Sequence, residues 1–168
     1  MTLESQTDDN EGTHLDSHAD SPFVGQYCAI IRTVGRRISV HGFTDELRKP
    51  SIVMVVDAAV VYECEITREL MLLIIQNALH IKSMKMNLIP PFMMRLAGLT
   101  VNECPKFLSP HPNINNHSIY CKESNRRIPL ELWGIISMIP TQIPRDSELM
   151  ELNVFELTPM MNTWDPHT

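Results

Sequence analysis

An all-β domain carrying one short helix is the fold the sequence predicts, and two observations predict it. From His14 to Asn102, short runs rich in β-branched and other apolar residues alternate with turn signals. The runs are 23–31, 36–43, 52–62 and 69–81, and Gly25, Gly35, Gly42 and Pro50 punctuate them. The second observation is the stretch Pro90-Pro91-Phe92-Met93-Met94-Arg95-Leu96-Ala97-Gly98, in which prolines open a short helix and a glycine closes it. A further strand, 99–102, follows it.

Length and charge narrow the functional classes. With 168 residues, 43% of them hydrophobic, the chain can bury one sizeable core but is short for two complete domains. A formal net charge of −6 offers no broad basic surface, and the arginine pairs Arg36-Arg37 and Arg126-Arg127 are short, so nucleic-acid binding is disfavoured. Cys28, Cys64, Cys104 and Cys121 form no Cys-x-x-Cys pair, which points to reduced thiols rather than a zinc ribbon or a disulfide framework. The first ten residues are polar and acidic rather than basic then apolar, and Asp57 interrupts the longest apolar stretch, 52–61. The expectation is a cytoplasmic protein with no membrane partner.

Composition divides the chain into three parts. Residues 1–13 are rich in Ser, Thr, Asp, Glu and Gly and read as a disordered leader or polyprotein linker. Residues 14–103 form the predicted domain. The loop beyond Glu103, with Pro105, Pro110, Pro112 and several asparagines, marks a boundary before a C-terminal extension, 104–168. Within the extension 118–121 and 128–138 have strand character, and 147–152 makes a turn of helix behind Asp146.

The residues with most chemical content are Leu15-Asp16-Ser17-His18-Ala19-Asp20. They resemble the aspartic protease signature, an apolar residue followed by Asp, Ser or Thr, Gly and Ala. In that chemistry two carboxylates lie so close that repulsion holds one proton between them, and one acts as base on a water while the other acts as acid. One chain supplies one such Asp. The resemblance therefore implies a homodimer with Asp16 catalytic in each protomer, an active-site loop of Ser17, His18 and Ala19 in which Ser17 braces the carboxylate, and Asp20 holding the backbone of a peptide substrate.

About seventy residues on, Asn87-Leu88-Ile89 precedes the proline-opened helix and the strand Leu99-Thr100-Val101-Asn102. This is similar to the closing half of copia-type retropepsins, where a strand beneath the active site leads to a helix and then to an apolar strand. The resemblance spans Leu15 to Asn102 and implies a closed-barrel protomer with a hairpin flap. Residues 40–45 are the expected flap, with Gly42 and Phe43 over the substrate. Ile128-Pro129-Leu130-Glu131-Leu132 and Trp164-Asp165-Pro166 resemble polyproteins of copia-like retrotransposons that carry Asp-Ser-His-Ala-Asp, so the implied substrate is the element's own polyprotein.

The chain departs from the family at His18, where the signature has glycine. A loop that needs glycine's conformational freedom would burden a side chain with strain on the order of 1 kcal/mol or more. The alternative is therefore a catalytically silent relic that serves as a dimerisation or peptide-binding module. Ser21-Pro22 also departs from the family pattern. A third reading is chemical: on a strand, residues two apart share a face, so His14, Asp16, His18 and Asp20 could converge as metal ligands.

The remaining residues read as structural. Asp57 lacks a following hydroxyl and belongs to a strand returning from the flap. Met84, Met86, Met93 and Met94 fill gaps in a core or dimer interface, Cys28 and Cys64 are small buried hydrophobes, and His80 is a structural histidine. No cofactor is assigned.

Overall fold

The computed structural model describes residues 12–40, 51–105, 108, 110, 111, 113 and 115–159. The expected flap tip, with Gly42 and Phe43, lies outside the described residues, as does the leader up to Glu11. About half of the described residues are in strands. Three strands dominate: β3 (Ala29–Val40), β4 (Ser51–Glu63) and β5 (Leu70–His80), joined as successive antiparallel pairs.

β4 and β5 are almost uninterrupted apolar runs because both of their faces are covered. Val56, Ala58, Val60 and Tyr62 of β4 and Met71, Leu73 and Ile75 of β5 point into the main core. The alternate residues, Ala59, Val61, Leu72 and Ile74, form a second cluster roofed by Leu149 and Leu152. A strand buried on both faces loses the apolar-polar alternation of a surface strand. Near the middle of β4 the register shifts by a bulge at Asp57. The buried Asp57 carboxylate is tied to Arg32 at 2.7 Å and accepts the backbone N–H of Asn77 at 3.0 Å. Asp57 thus holds the hairpin together, on the strand that returns from residues 41–50.

The short strands assemble around this spine. β1 (Thr13–Leu15) lies parallel to β6 (Asn87–Ile89), and β2 (Phe23–Val24) runs between β6 and β5. Helix α1 (Pro91–Leu96) has proline at its first position and ends through Ala97 and Gly98, the latter at φ 89°, where glycine is favoured. It buries Met93 and Met94. After β7 (Thr100–Glu103), the strands β8 (His117–Cys121) and β9 (Arg126–Pro129) complete a three-stranded sheet whose Val101, Ile119 and Ile128 join the main core.

The sequence reads 128–138 as one strand region, but the chain folds it into the end of β9 and a hairpin, β10 (Glu131–Trp133) and β11 (Ile136–Ile139). Trp133 pairs with Ile136, leaving a two-residue loop with Gly134 at φ 64°, the arrangement of a type II′ turn. Helix α2 (Asp146–Glu151) follows, where the sequence reads a turn of helix over 147–152, so the described residues hold two short helices. Arg145, not Asp146, is its cap residue, with the Arg145 N–H donating to the Glu148 carboxylate at 2.8 Å.

The larger sheet runs β10-β11-β1-β6-β2-β5-β4-β3, with β12 (Asn153–Glu156) beside β5. Among the described residues this path stays open at β10 and β3, so the closed barrel implied by the resemblance is not found. Closure would require those two edges to pair. The residues placed beyond Glu103 are interleaved with those before it: β11 pairs with β1 and β12 with β5. Ile119, Ile128, Ile139, Phe155 and Leu157 share one cluster with Leu15, Val24 and Leu73. A proline-rich loop signals a connection; it does not signal a separate core. No helix among the described residues is long and apolar enough to cross a membrane.

If the late strands are integral to the core, Leu157→Ala, which empties a fully buried site, is expected to cost about 2–5 kcal/mol in urea unfolding. A loss below about 0.5 kcal/mol, the range of surface substitutions, would show that the segment is peripheral.

Candidate active site

The position of Asp16 is set by buried polar bonds beneath it. Asn87 is buried; its side-chain oxygen accepts the Gly25 N–H at 3.0 Å and its amide donates to the Thr13 hydroxyl at 3.4 Å. Thr13 is in turn hydrogen-bonded to the Thr141 hydroxyl at 2.9 Å. Three strands and the segment after β11 are thereby pinned at one point, with every member satisfied, as buried polar groups require. Gly25 has to be glycine: a Cβ there would collide with the Met84 carbonyl.

Asp16 emerges at the end of β1. Its N–H continues the parallel ladder by donating to the Ile89 carbonyl at 3.1 Å. Its carboxylate accepts the His18 N–H at 2.9 Å, and its carbonyl accepts the Ala19 N–H at 3.3 Å. This is an Asx-type turn, in which the acid's own side chain fixes the loop that follows it. Asp16 is half-buried, while Ser17, His18 and Asp20 are exposed and Ala19 is half-buried. Ser17 makes no hydrogen bond to the Asp16 carboxylate among the described residues, in contrast to the bracing role that the resemblance implies. Behind the loop the Ser21 hydroxyl is buried without a partner among the described residues.

Two sequence expectations about this loop change. Strand geometry stops at Leu15, so the alternation that would bring His14, Asp16, His18 and Asp20 to one face is lost, and among the described residues no three metal-ligating side chains converge. His18 is not among the positive-φ residues, which apart from glycines are Arg68, Asn77 and Asn125. The loop therefore imposes no glycine-type strain on it.

Asp16, Ser17 and His18 lie along a cavity of about 610 Å³. Its other lining residues come from segments the sequence did not assign to a site: Glu103, Pro105 and Leu108, and Leu132 with Gly134 to Ser137. The glycine after Trp133 was the available signal, since it marks a turn inside an apolar run. Ser137 is anchored from behind by the buried His117 ring at 2.9 Å, which links the small sheet to this wall. Ala19 and Asp20 do not line the described cavity.

A second cleft, about 730 Å³, holds none of the motif residues. It is lined by Glu63, Glu65, Glu131 and Glu148 with Arg68, Arg145 and Trp133. Burial and the nearby Glu65 charge hold the Glu131 carboxyl above its usual range. The cysteines are unpaired. Burial pushes the Cys28 thiol up to about 11, whereas hydrogen bonds from Thr67 hold Cys64 below its ordinary value. His80, half-buried at the end of β5, is held below its usual value by burial and Lys82.

Comparison with known protein families, curated proteins and solved structures gives no match.

Two measurements test these environments. With no strain to relieve, His18→Gly is expected to lower stability by about 0.4–1 kcal/mol through unfolded-chain entropy, read in urea unfolding; a gain would restore the strained-loop view. Because the folded-state pKa of Glu131 is raised, its contribution to stability falls as pH rises through the carboxylate range. Glu131→Gln is therefore expected to raise the melting temperature at pH 7 and leave it nearly unchanged at pH 4. A shift of equal size at both pH values would remove the electrostatic explanation.

Proposed function

We infer that this chain is a retropepsin-like aspartic endopeptidase protomer of a retrotransposon polyprotein, active as a homodimer with one Asp16 from each copy. The observation that carries the reading is the parallel pairing of β1 with Asn87-Leu88-Ile89, which delivers the Asp16 carboxylate to the floor of an open cavity. The signature Asp and the Asn-Leu-Ile strand are separated by seventy residues of sequence, yet they sit side by side and α1 and β7 follow in the order the family resemblance implies. A long β3–β4 hairpin lies between them, where a flap belongs.

In the proposed reaction a water lies between the two Asp16 carboxylates, which share one proton. The ionised carboxylate takes a proton from the water as its oxygen attacks the peptide carbonyl carbon. The protonated one gives its proton to the carbonyl oxygen, forming a neutral tetrahedral diol. Collapse breaks the C–N bond: the departing nitrogen takes the proton held by the first carboxylate while a diol hydroxyl returns its proton to the second, leaving a carboxylic acid, an amine and one proton again shared by the pair. Under the same reading Asp20, exposed at the end of the loop, holds the extended backbone of the substrate. A second reading, a catalytically silent dimerisation or peptide-binding module, is favoured by the exposed Ser17, which leaves the Asp16 carboxylate without its hydroxyl brace.

Asp16→Asn keeps the shape and the acceptor for His18 but cannot share a proton, so it is expected to abolish cleavage of a peptide copied from a polyprotein junction. The melting temperature should change little. Wild-type turnover should follow a bell-shaped pH profile belonging to the carboxylate pair and be blocked by pepstatin-type inhibitors. Undiminished turnover in Asp16→Asn would remove Asp16 from the chemistry. A wild-type protein that binds the inhibitor without cleaving would favour the silent module.

A further inference from the structure

The cavity beside Asp16 is walled by apolar groups that the catalytic reading leaves unused. Leu15, Leu88 and Leu132, buried or half-buried, line it. So do Leu108, 64% exposed, and the turn of the β10–β11 hairpin, where Ile135 is 96% and Ile136 42% exposed. Neither Leu108 nor the hairpin belongs to the segment 15–102 that resembles the family. The type II′ turn at Gly134 fixes where Ile135 projects, and pairing with β1 fixes the hairpin. Its register runs Thr13↔Ile139 and His14↔Met138, so the ladder carries the hairpin along β1 toward the end from which Asp16 emerges. An isoleucine this exposed contributes almost nothing to the chain's own core, yet it lines the same cavity as Asp16.

We propose that the β10–β11 hairpin is the specificity element of the Asp16 site: Ile135 and Ile136, which share the cavity with Leu108, receive an aliphatic or aromatic side chain of an extended peptide beside the bond presented to Asp16. Insertion takes that side chain and both isoleucines out of water together. The carboxylates of Asp16 and Glu103 on the same cavity repel an acidic side chain, so discrimination has a repulsive as well as an attractive part. A concave space of about 610 Å³ fits inserted side chains rather than a flat self-complementary patch. The placement of the cleaved bond rests on the protease reading; the preference for an apolar side chain does not.

The test uses the full chain and two statine-containing peptides, identical except for leucine or serine next to the statine. Calorimetry is expected to show the wild-type protein binding the leucine peptide at least about tenfold more tightly. Ile135→Glu should erase that ratio without shifting the melting temperature, because the side chain is solvent-exposed, and Ile135→Ala should reduce it. With cleavable versions the ratio should appear in KM while kcat holds. Equal affinity for the two peptides, no binding of either, or a ratio that survives Ile135→Glu overturns the proposal. So does sedimentation showing that Ile135→Glu separates a dimer while the ratio persists, which would assign the hairpin to self-association. Peptide preference without any cleavage supports the subsite and removes the protease reading; cleavage without preference does the reverse.

Discussion

The parallel pairing of β1 with β6, fixed by the buried side chain of Asn87, is the constraint on which the rest of the molecule depends. Asn87 reaches Gly25 on one side and Thr13 on the other, so three strands meet at one amide. Replacing it with an apolar residue would leave the Gly25 N–H buried and unpaired, at a cost of about 1–3 kcal/mol. The effect on position matters more than the energy. Asp16 hangs from the end of this ladder through its own N–H, and the loop after it is shaped by its own carboxylate. The hairpin that walls the cavity is attached to the other edge of the same short strand.

A second constraint is the double coverage of β4 and β5. Their outward face is roofed by Leu149 and Leu152, so residues near α2 stabilise strands encoded some eighty positions earlier. Double coverage is why β5 exposes no large apolar side chain, whereas Leu108, Ile135 and Ile136, which line the cavity, are exposed.

Much of this was legible in the sequence. Helix α1 was readable to within a residue because proline and glycine bracket it. β4 and β5 were readable because continuous Val, Ala, Leu and Ile runs admit few other structures. The β10–β11 hairpin was read as strand without its turn, since Gly134 sits in an apolar run with no polar partner of the usual Asn-Gly kind. Strand partners were not readable at all. Which strand β11 or β12 joins depends on side chains distant in sequence, and no local periodicity encodes that choice. For the same reason Asp16 could be singled out from six residues, while the walls of its cavity, contributed by Leu108 and Ile135, could not. The role of His18 was misjudged because a motif records residue type, and strain depends on the dihedral angle the loop adopts.

The interleaving of late and early strands also bears on how the protein is born. β1 gains an antiparallel partner only with β11, and β5, parallel to β2 at one end, gains its second parallel neighbour only with β12. A chain leaving the ribosome N-terminus first at about 5–20 residues per second would expose the apolar faces of β4 and β5 for several seconds before Phe155 and Leu157 arrive to cover them. Topologies built on such distant pairings fold slowly, since loop closure precedes the contacts that reward it. Nascent chains of this protein are thus exposed to association through those two strands, and to holdase capture, for as long as synthesis of the stretch from β5 to Leu157 takes.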